Sequence, residues 1–177
     1  DPGKRFISLS PSVTEIFYAI GAEDLLAGVT APADYPPKAS EKEIVAGYGF
    51  IRFERIFALK ATECITVEEI QSGESLARLR ELGINVVVYR MNSLDDICDS
   101  IMDIGSRTGK GKKAEELVTS IRIKLAKIGE ANGLKSQKAV FVVGVDPLVL
   151  AGKGSFLNDV LLKAGLFNAF KEKTPSY

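Results

Sequence analysis

Residues 112–132 read KKAEELVTSIRIKLAKIGEAN, and the spacing of their apolar members decides how the rest of the chain divides. Ala114, Leu117, Val118, Ile121, Leu125 and Ile128 recur at intervals of three and four, while Lys113, Glu115, Glu116, Arg122 and Lys124 fall mostly off that stripe. The pattern predicts one helix of about 20 residues, roughly 30 Å at 1.5 Å per residue, which is the width of a small domain. Gly109 and Gly111 punctuate its start, and Gly133 stands where a helix favours glycine just past its end. A helix of that length can brace two bodies. The simpler reading, a surface helix of one α/β domain, stays open at this point.

On both sides of this helix, strand and helix signals alternate. Phe6–Leu9, Leu26–Thr30, Ile44–Ala46, Cys64–Val67 and Asn85–Tyr89 read as strands, the last as a parallel strand covered on both faces. A first helix follows Ser10-Pro11, with Ser12 and Glu15 as an S-x-x-E capping box and Val13, Ile16, Phe17 and Ile20 as its apolar face. Glu54–Leu59, Ser75–Leu82 and Leu94 to about Ser106 read as further helices, while three prolines make 31–37 a loop. Downstream come a strand over Ala139–Val143, a loop or short hairpin over Gly144–Gly154, and a helix over Phe156–Ala164. Such alternation predicts parallel sheets, whose ligands gather beyond the carboxyl ends of the strands. The expected division is an N-terminal α/β lobe over 1–108, a linking helix over 109–133 and the start of a second α/β lobe over 134–177. About 45 residues follow the helix, against the ~100 of a typical domain, so the second lobe is expected to be incomplete.

Composition excludes some chemistry. Lys plus Arg number 23 and Asp plus Glu 23, so there is no net basic field to hold nucleic acid or an anionic membrane. No apolar run approaches the ~20 residues of a membrane span. Asp1-Pro2-Gly3-Lys4 does not begin like a signal peptide, which implies either a cytosolic protein or a targeting segment already removed. The chain holds no histidine, which removes the commonest metal ligand and general base together with every Ser-His or Cys-His arrangement. Cys64 and Cys98 lack the spacing of a zinc site and are expected to be buried thiols, their pairing left open. No catalytic residue, cofactor or resident metal is expected.

Five runs, taken in order, carry a resemblance. Ser8-Leu9-Ser10-Pro11-Ser12-Val13-Thr14-Glu15-Ile16, Asp34-Tyr35-Pro36-Pro37, Gly47-Tyr48-Gly49-Phe50, Glu54-Arg55-Ile56-Phe57-Ala58-Leu59-Lys60 and Gly152-Lys153-Gly154-Ser155-Phe156-Leu157-Asn158 resemble the helical-backbone class of ABC-transporter substrate-binding proteins. Members of that class capture cobalamin, haem or ferric siderophores and deliver them to a membrane permease. The resemblance implies two Rossmann-like lobes joined by one long backbone helix, with the ligand between them and the second lobe truncated in this chain. It also implies a periplasmic or extracytoplasmic, surface-anchored location, with the membrane reached only through the permease or a removed lipid anchor. One departure is that the family's Lys-Pro-Asp after the short helix is Lys60-Ala61-Thr62 here.

A corrin, porphyrin or siderophore presents a broad, partly apolar face with a polar rim, so its site should offer aromatic surface and a few fixed polar groups. Tyr35, Tyr48 and Phe50 are the expected ligand contacts of the first lobe, and Asp146, Pro147 and Tyr177 those of the second. For Tyr35, a ring packed on Pro36 and Pro37 remains an equal alternative. The resemblance assigns Glu54 to permease docking, while a helix-terminal carboxylate favoured by the helix dipole explains the same residue without a partner. The other function class that fits the fold is a cytosolic α/β enzyme such as a tetrapyrrole metal chelatase, since a fold does not decide a function.

Overall fold

The computed structural model describes residues 3–68, 70–131 and 137–170. Contacts divide the chain into two compact units, Asp1–Arg90 with Ile101–Glu115 and Met91–Ser100 with Glu116–Tyr177. Both are α/β in character.

In the first unit everything is laid against β1 (Phe6–Ser8), whose three residues are fully buried. The chain then forms α1 (Pro11–Ala19), β2 (Leu26–Thr30), β3 (Ile44–Gly47), β4 (Phe50–Ile51), α2 (Phe53–Ala58), β5 (Glu63–Val67), α3 (Gly73–Glu81) and β6 (Asn85–Tyr89). The strands make one six-stranded sheet in the order β4-β3-β2-β1-β5-β6, parallel except for β4. From β1 the chain moves outward through β2 to β3, then returns to the far side of β1 for β5 and β6. Right-handed crossovers in opposite directions place their helices on opposite faces of a sheet. The core follows that rule. Phe6 meets Phe17 of α1 with ring centroids 5.3 Å apart, whereas Ile7, Leu9, Val45 and Cys64 cluster with Ile56 of α2 and with Leu76 and Leu79 of α3.

Local sequence sets the helix ends. Pro11 occupies the first position of α1, where its missing N–H costs no hydrogen bond, and Gly21 (φ +66) closes the helix. There the Gly21 amide donates to the Tyr18 carbonyl at 3.1 Å and the Ala22 amide to that of Phe17 at 2.8 Å. This start corrects the expected capping box. Ser10 is the N-cap, so Ser12 already lies inside the helix, and its hydroxyl bonds that of Ser10 at 2.8 Å. A reciprocal box forms instead at α4 (Leu94–Thr108), where the Asp96 amide donates to Ser93 Oγ and the Ser93 amide to Asp96 Oδ2, both at 3.0 Å.

The second correction concerns β6. Parallel to β5, it lies at the end of the sheet, and Val88 is exposed rather than covered on both faces. An apolar run reports strand and burial together, but position in the sheet is a tertiary outcome. Polar side chains tie α4 to this side of the sheet. Glu63 accepts from Asn85 Nδ2 at 2.8 Å and from Arg107 Nη1 at 3.1 Å, while Arg107 Nε (2.7 Å) and the Tyr89 hydroxyl (2.6 Å) both donate to Asp103 Oδ2. Burial alone would raise the Asp103 carboxyl, but the two donors outweigh it and hold that group below the usual carboxylate range.

The predicted long helix is present as α5 (Gly111–Ala131), with Asn132 and Gly133 outside the described residues. Only Gly109 and Lys110 separate it from α4, and the two helices approach closely where Gly105 faces Ala114. A Cβ built on Gly105 would collide with the Ala114 methyl and lie 3.4 Å from Gly111 Cα.

In the second unit, β7 (Gln137–Ala139) pairs in parallel with β10 (Leu166–Asn168), and α6 (Phe156–Lys163) lies between them in sequence. A separate antiparallel hairpin joins β8 (Val142–Val145) to β9 (Leu148–Leu150). The expected single strand over Ala139–Val143 is therefore two strands with different partners. Val140 and Phe141 make the switch, and residues 140–143 are all substantially exposed. The hairpin suggested for Gly144–Gly154 exists but begins earlier, at Val142.

Two measurements follow from this packing. Gly105→Ala should lower the free energy of unfolding in urea, because overpacking two backbones costs about 1–3 kcal/mol, more than the ~1 kcal/mol that alanine's helix propensity returns. Both cysteines are free and buried, and burial, followed by the charge of Glu63, pushes the Cys64 thiol up to about 12. An aromatic disulfide reagent should therefore titrate neither thiol in the native protein at neutral pH and both after denaturation.

Candidate binding site on the first unit

The carboxyl edge of the six-stranded sheet gathers the loops that follow β1, β2, β3, β5 and β6, and it reverses direction across β1, where doubly wound sheets place their ligands. The turn from β1 into α1 is built from hydroxyls. Ser8 Oγ donates to the Ser10 carbonyl at 2.8 Å, and Thr14 Oγ1 donates to Ser8 Oγ at 2.8 Å. Ser8, Ser10 and Thr14 are almost wholly buried, so their hydroxyls need partners from within the protein, and these bonds supply them. Gln71 Nε2 adds a longer contact of 3.5 Å to the Leu9 carbonyl. Thr30 and Thr66, buried near the ends of β2 and β5, donate to the carbonyls that follow them at 3.5 and 3.3 Å. These groups fix the loop backbone rather than offer a nucleophile. Sequence reasoning missed them because Ser8 and Thr14 are six residues apart and meet only once the strand has turned into the helix.

Aromatic side chains supply the exposed surface of this edge. Tyr48 and Gly49 form the two-residue turn between β3 and β4, with Gly49 at φ +78, and Tyr48 is 100% exposed. Phe50 is 43% exposed on the same hairpin, opposite Gly47. Tyr35, in the loop after the neighbouring strand β2, is 65% exposed. The structure thus places Tyr35 in the loop after β2, Tyr48 in the β3–β4 turn and Phe50 at the start of β4, on one edge of the sheet. Three large aromatics thus stand exposed at one edge of the sheet.

Gly47 of the quoted run, and Arg52, which sequence reasoning did not single out, support this hairpin. Gly47 is buried beneath the Phe50 ring, and the Arg52 guanidinium carbon lies 5.6 Å from that ring's centroid. A Gly-Tyr-Gly-Phe run signals a turn, but nothing in it says which glycine makes the turn and which makes room for a ring.

Glu54 is exposed in the first turn of α2, and it has no ion pair among the described residues. The adjacent Arg55 is engaged by Glu43. Asp146 and Pro147 belong to the second unit, where they form the exposed turn of the β8–β9 hairpin rather than a loop beyond a parallel strand. Tyr177 lies outside the described residues. Among the described residues no helix is long and apolar enough to cross a membrane.

Known proteins share this sequence and architecture. A vitamin B12-binding protein of Salmonella choleraesuis is 30% identical over 169 residues, which cover 95% of this chain and 63% of that protein. One from Vibrio cholerae is 29% identical over 177 residues, covering 99% of this chain and 64% of the relative. The chain thus spans just under two thirds of the length of these relatives. Among solved structures, the periplasmic vitamin B12 binding protein of Vibrio cholerae superposes with a TM-score of 0.82 at 29% identity, over 98% of this chain and 69% of that one. A periplasmic heme binding protein from Pseudomonas aeruginosa superposes with a TM-score of 0.87 at 21% identity, over 98% and 65%, a likeness of fold alone. The family model for periplasmic binding proteins matches residues 7–177, and the chain belongs to that family.

Proposed function

We propose that this protein is the solute-binding component of an ABC importer and captures a metal chelate of the cobalamin, haem or ferric siderophore type for delivery to the membrane permease. The observation that carries this reading is the trio of exposed rings at the carboxyl edge of a doubly wound sheet, Tyr35 in the loop after β2, Tyr48 in the β3–β4 turn and Phe50 at the start of β4. Aromatic faces stack on a flat conjugated or corrin-like surface, and the nearby loop backbone can meet its polar rim. The likeness to vitamin B12-binding proteins points to the same class of ligand. In this reading Asp146, Pro147 and Tyr177 contribute from the second lobe, 109–133 is the linking helix between lobes 1–108 and 134–177, and the protein works outside the cytoplasmic membrane. No catalytic step is assigned to it.

Glu54 is the proposed permease contact. Its carboxylate is exposed and uncommitted to an intramolecular pair, as a docking group must be, and a charge-assisted bond to a permease arginine would use it. The helix dipole stabilises the same carboxylate in the free protein, so the two roles are compatible.

Calorimetric titration of the full-length protein with cyanocobalamin, haemin and ferrichrome tests the ligand class. One of the three should bind saturably at one per chain, and Tyr48→Ala should weaken that binding without lowering the melting temperature, since the side chain is fully exposed. Absence of binding to all three would overturn the reading. For docking, Glu54→Ala should leave chelate affinity unchanged and slow uptake in a reconstituted transporter, with the deficit shrinking as salt screens the wild-type contact. Equal uptake by both proteins at low salt would remove the docking role.

A further inference from the structure

Gly47 lies inside a strand, and its φ is not among the positive values that mark Gly21, Gly49, Gly83, Gly109 and Gly165, so freedom of backbone conformation does not explain it. Space does. Gly47 pairs directly with Phe50 across the β3–β4 hairpin, and a Cβ built on it would lie 2.7 Å from Phe50 Cζ, closer than real contacts allow, and 3.3 Å from Cδ1, so the ring would have to shift. The ring rests where a side chain at 47 would otherwise stand. Two residues further along, on the same face of the hairpin, Arg52 holds its guanidinium 5.6 Å from the Phe50 centroid and donates from Nη1 to the Ile44 carbonyl at 3.2 Å. That distance is near the outer limit of about 6 Å for a cation–π contact, so Arg52 restrains the ring more weakly than the seat at Gly47 does. The ring thus lies between the seat at Gly47 and the Arg52 guanidinium and remains 43% exposed.

We propose that Gly47 and Arg52 are positioning residues, which hold the Phe50 ring as a preformed platform for the flat, partly apolar face of a ligand. The proposal rests on the chelate-binding reading of this edge. A side chain ordered before the ligand arrives loses less freedom on binding, so affinity should fall when the seat or the restraint is removed even though neither residue touches the ligand.

A double-mutant cycle read by calorimetry with cyanocobalamin, haemin and ferrichrome tests this, with a thermal melt of every variant. For the chelate that the wild type binds, Gly47→Ala should weaken affinity about three- to tenfold, the range expected for ordering one side chain. In a Phe50→Ala background the same substitution should have no further effect, because Gly47 acts through the ring. Arg52 is exposed, so Arg52→Ala should leave the fold intact and carries the test alone if Gly47→Ala unfolds. It should weaken binding, and Arg52→Lys, which keeps a cation beside the ring, should restore most of the loss. Wild-type binding with Gly47→Ala and Arg52→Ala equally tight, or a Gly47→Ala defect that persists without Phe50, would overturn the positioning role and leave the chelate reading standing. A wild type that binds none of the three would overturn both.

Discussion

Strand β1 is the constraint on which the first unit depends. Phe6, Ile7 and Ser8 are buried on both faces and hydrogen-bonded on both edges, to β2 and to β5. Such a strand must be apolar on both sides, and the chain must leave it in one direction and come back on the other. The split of helices follows, with α1 over Phe6 and with α2 and α3 over Ile7 and Leu9. Loops that diverge at this point open the carboxyl edge of the sheet. The candidate site is thus a consequence of how the core is wound.

The same burial makes the polar groups at the end of β1 expensive unless they are paired. Ser8 is completely inaccessible, and a buried hydroxyl without a partner would cost about 1–3 kcal/mol. Its bonds to the Ser10 carbonyl and to Thr14 remove that penalty and also set the angle at which α1 leaves the strand. Glu63 poses a similar problem at the start of β5, where it is nearly buried. Asn85 and Arg107 answer it, and Arg107 reaches in turn to Asp103, so a carboxylate that would be a liability becomes an attachment for α4. A buried ion pair of this sort is modest evidence of stability, but it specifies where the helix must sit.

On this rigid base the exposed rings are the feature that stability does not explain. Tyr48 is fully exposed, Tyr35 65% and Phe50 43% exposed, and Glu54 in the first turn of α2 has no ion pair among the described residues. Folding alone gains little from leaving such groups in water. The two-residue turn between β3 and β4 holds Tyr48 and Phe50, which limits how much order a ligand would have to impose there.

Local periodicity and turn chemistry determined the elements themselves. Leu26–Thr30 and Asn85–Tyr89 are strands at the bounds their composition implies, and the i, i+3, i+4 stripe of the long helix runs through Gly111–Ala131. These features depend on residues a few positions apart, so they are written in the chain. Partner choice was not. The apolar run over 139–143 says strand, yet residues 137–139 pair with β10 and 142–145 with β9, and the β10 partners lie 29 residues further along the chain. Likewise an S-x-x-E pattern marks a capping box at Ser12, but with Ser10 as N-cap and Pro11 as first residue that helix starts two residues sooner, and the reciprocal box forms at Ser93. Tyr35 and Tyr48 were legible as loop residues, because prolines and glycines surround them, whereas Phe50 opens strand β4. That Phe50 would lie on Gly47, that Glu54 would go unpaired while Arg55 met Glu43, and that β6 would end the sheet were decided only when distant strands came into register, since each turns on which surface arrives beside which.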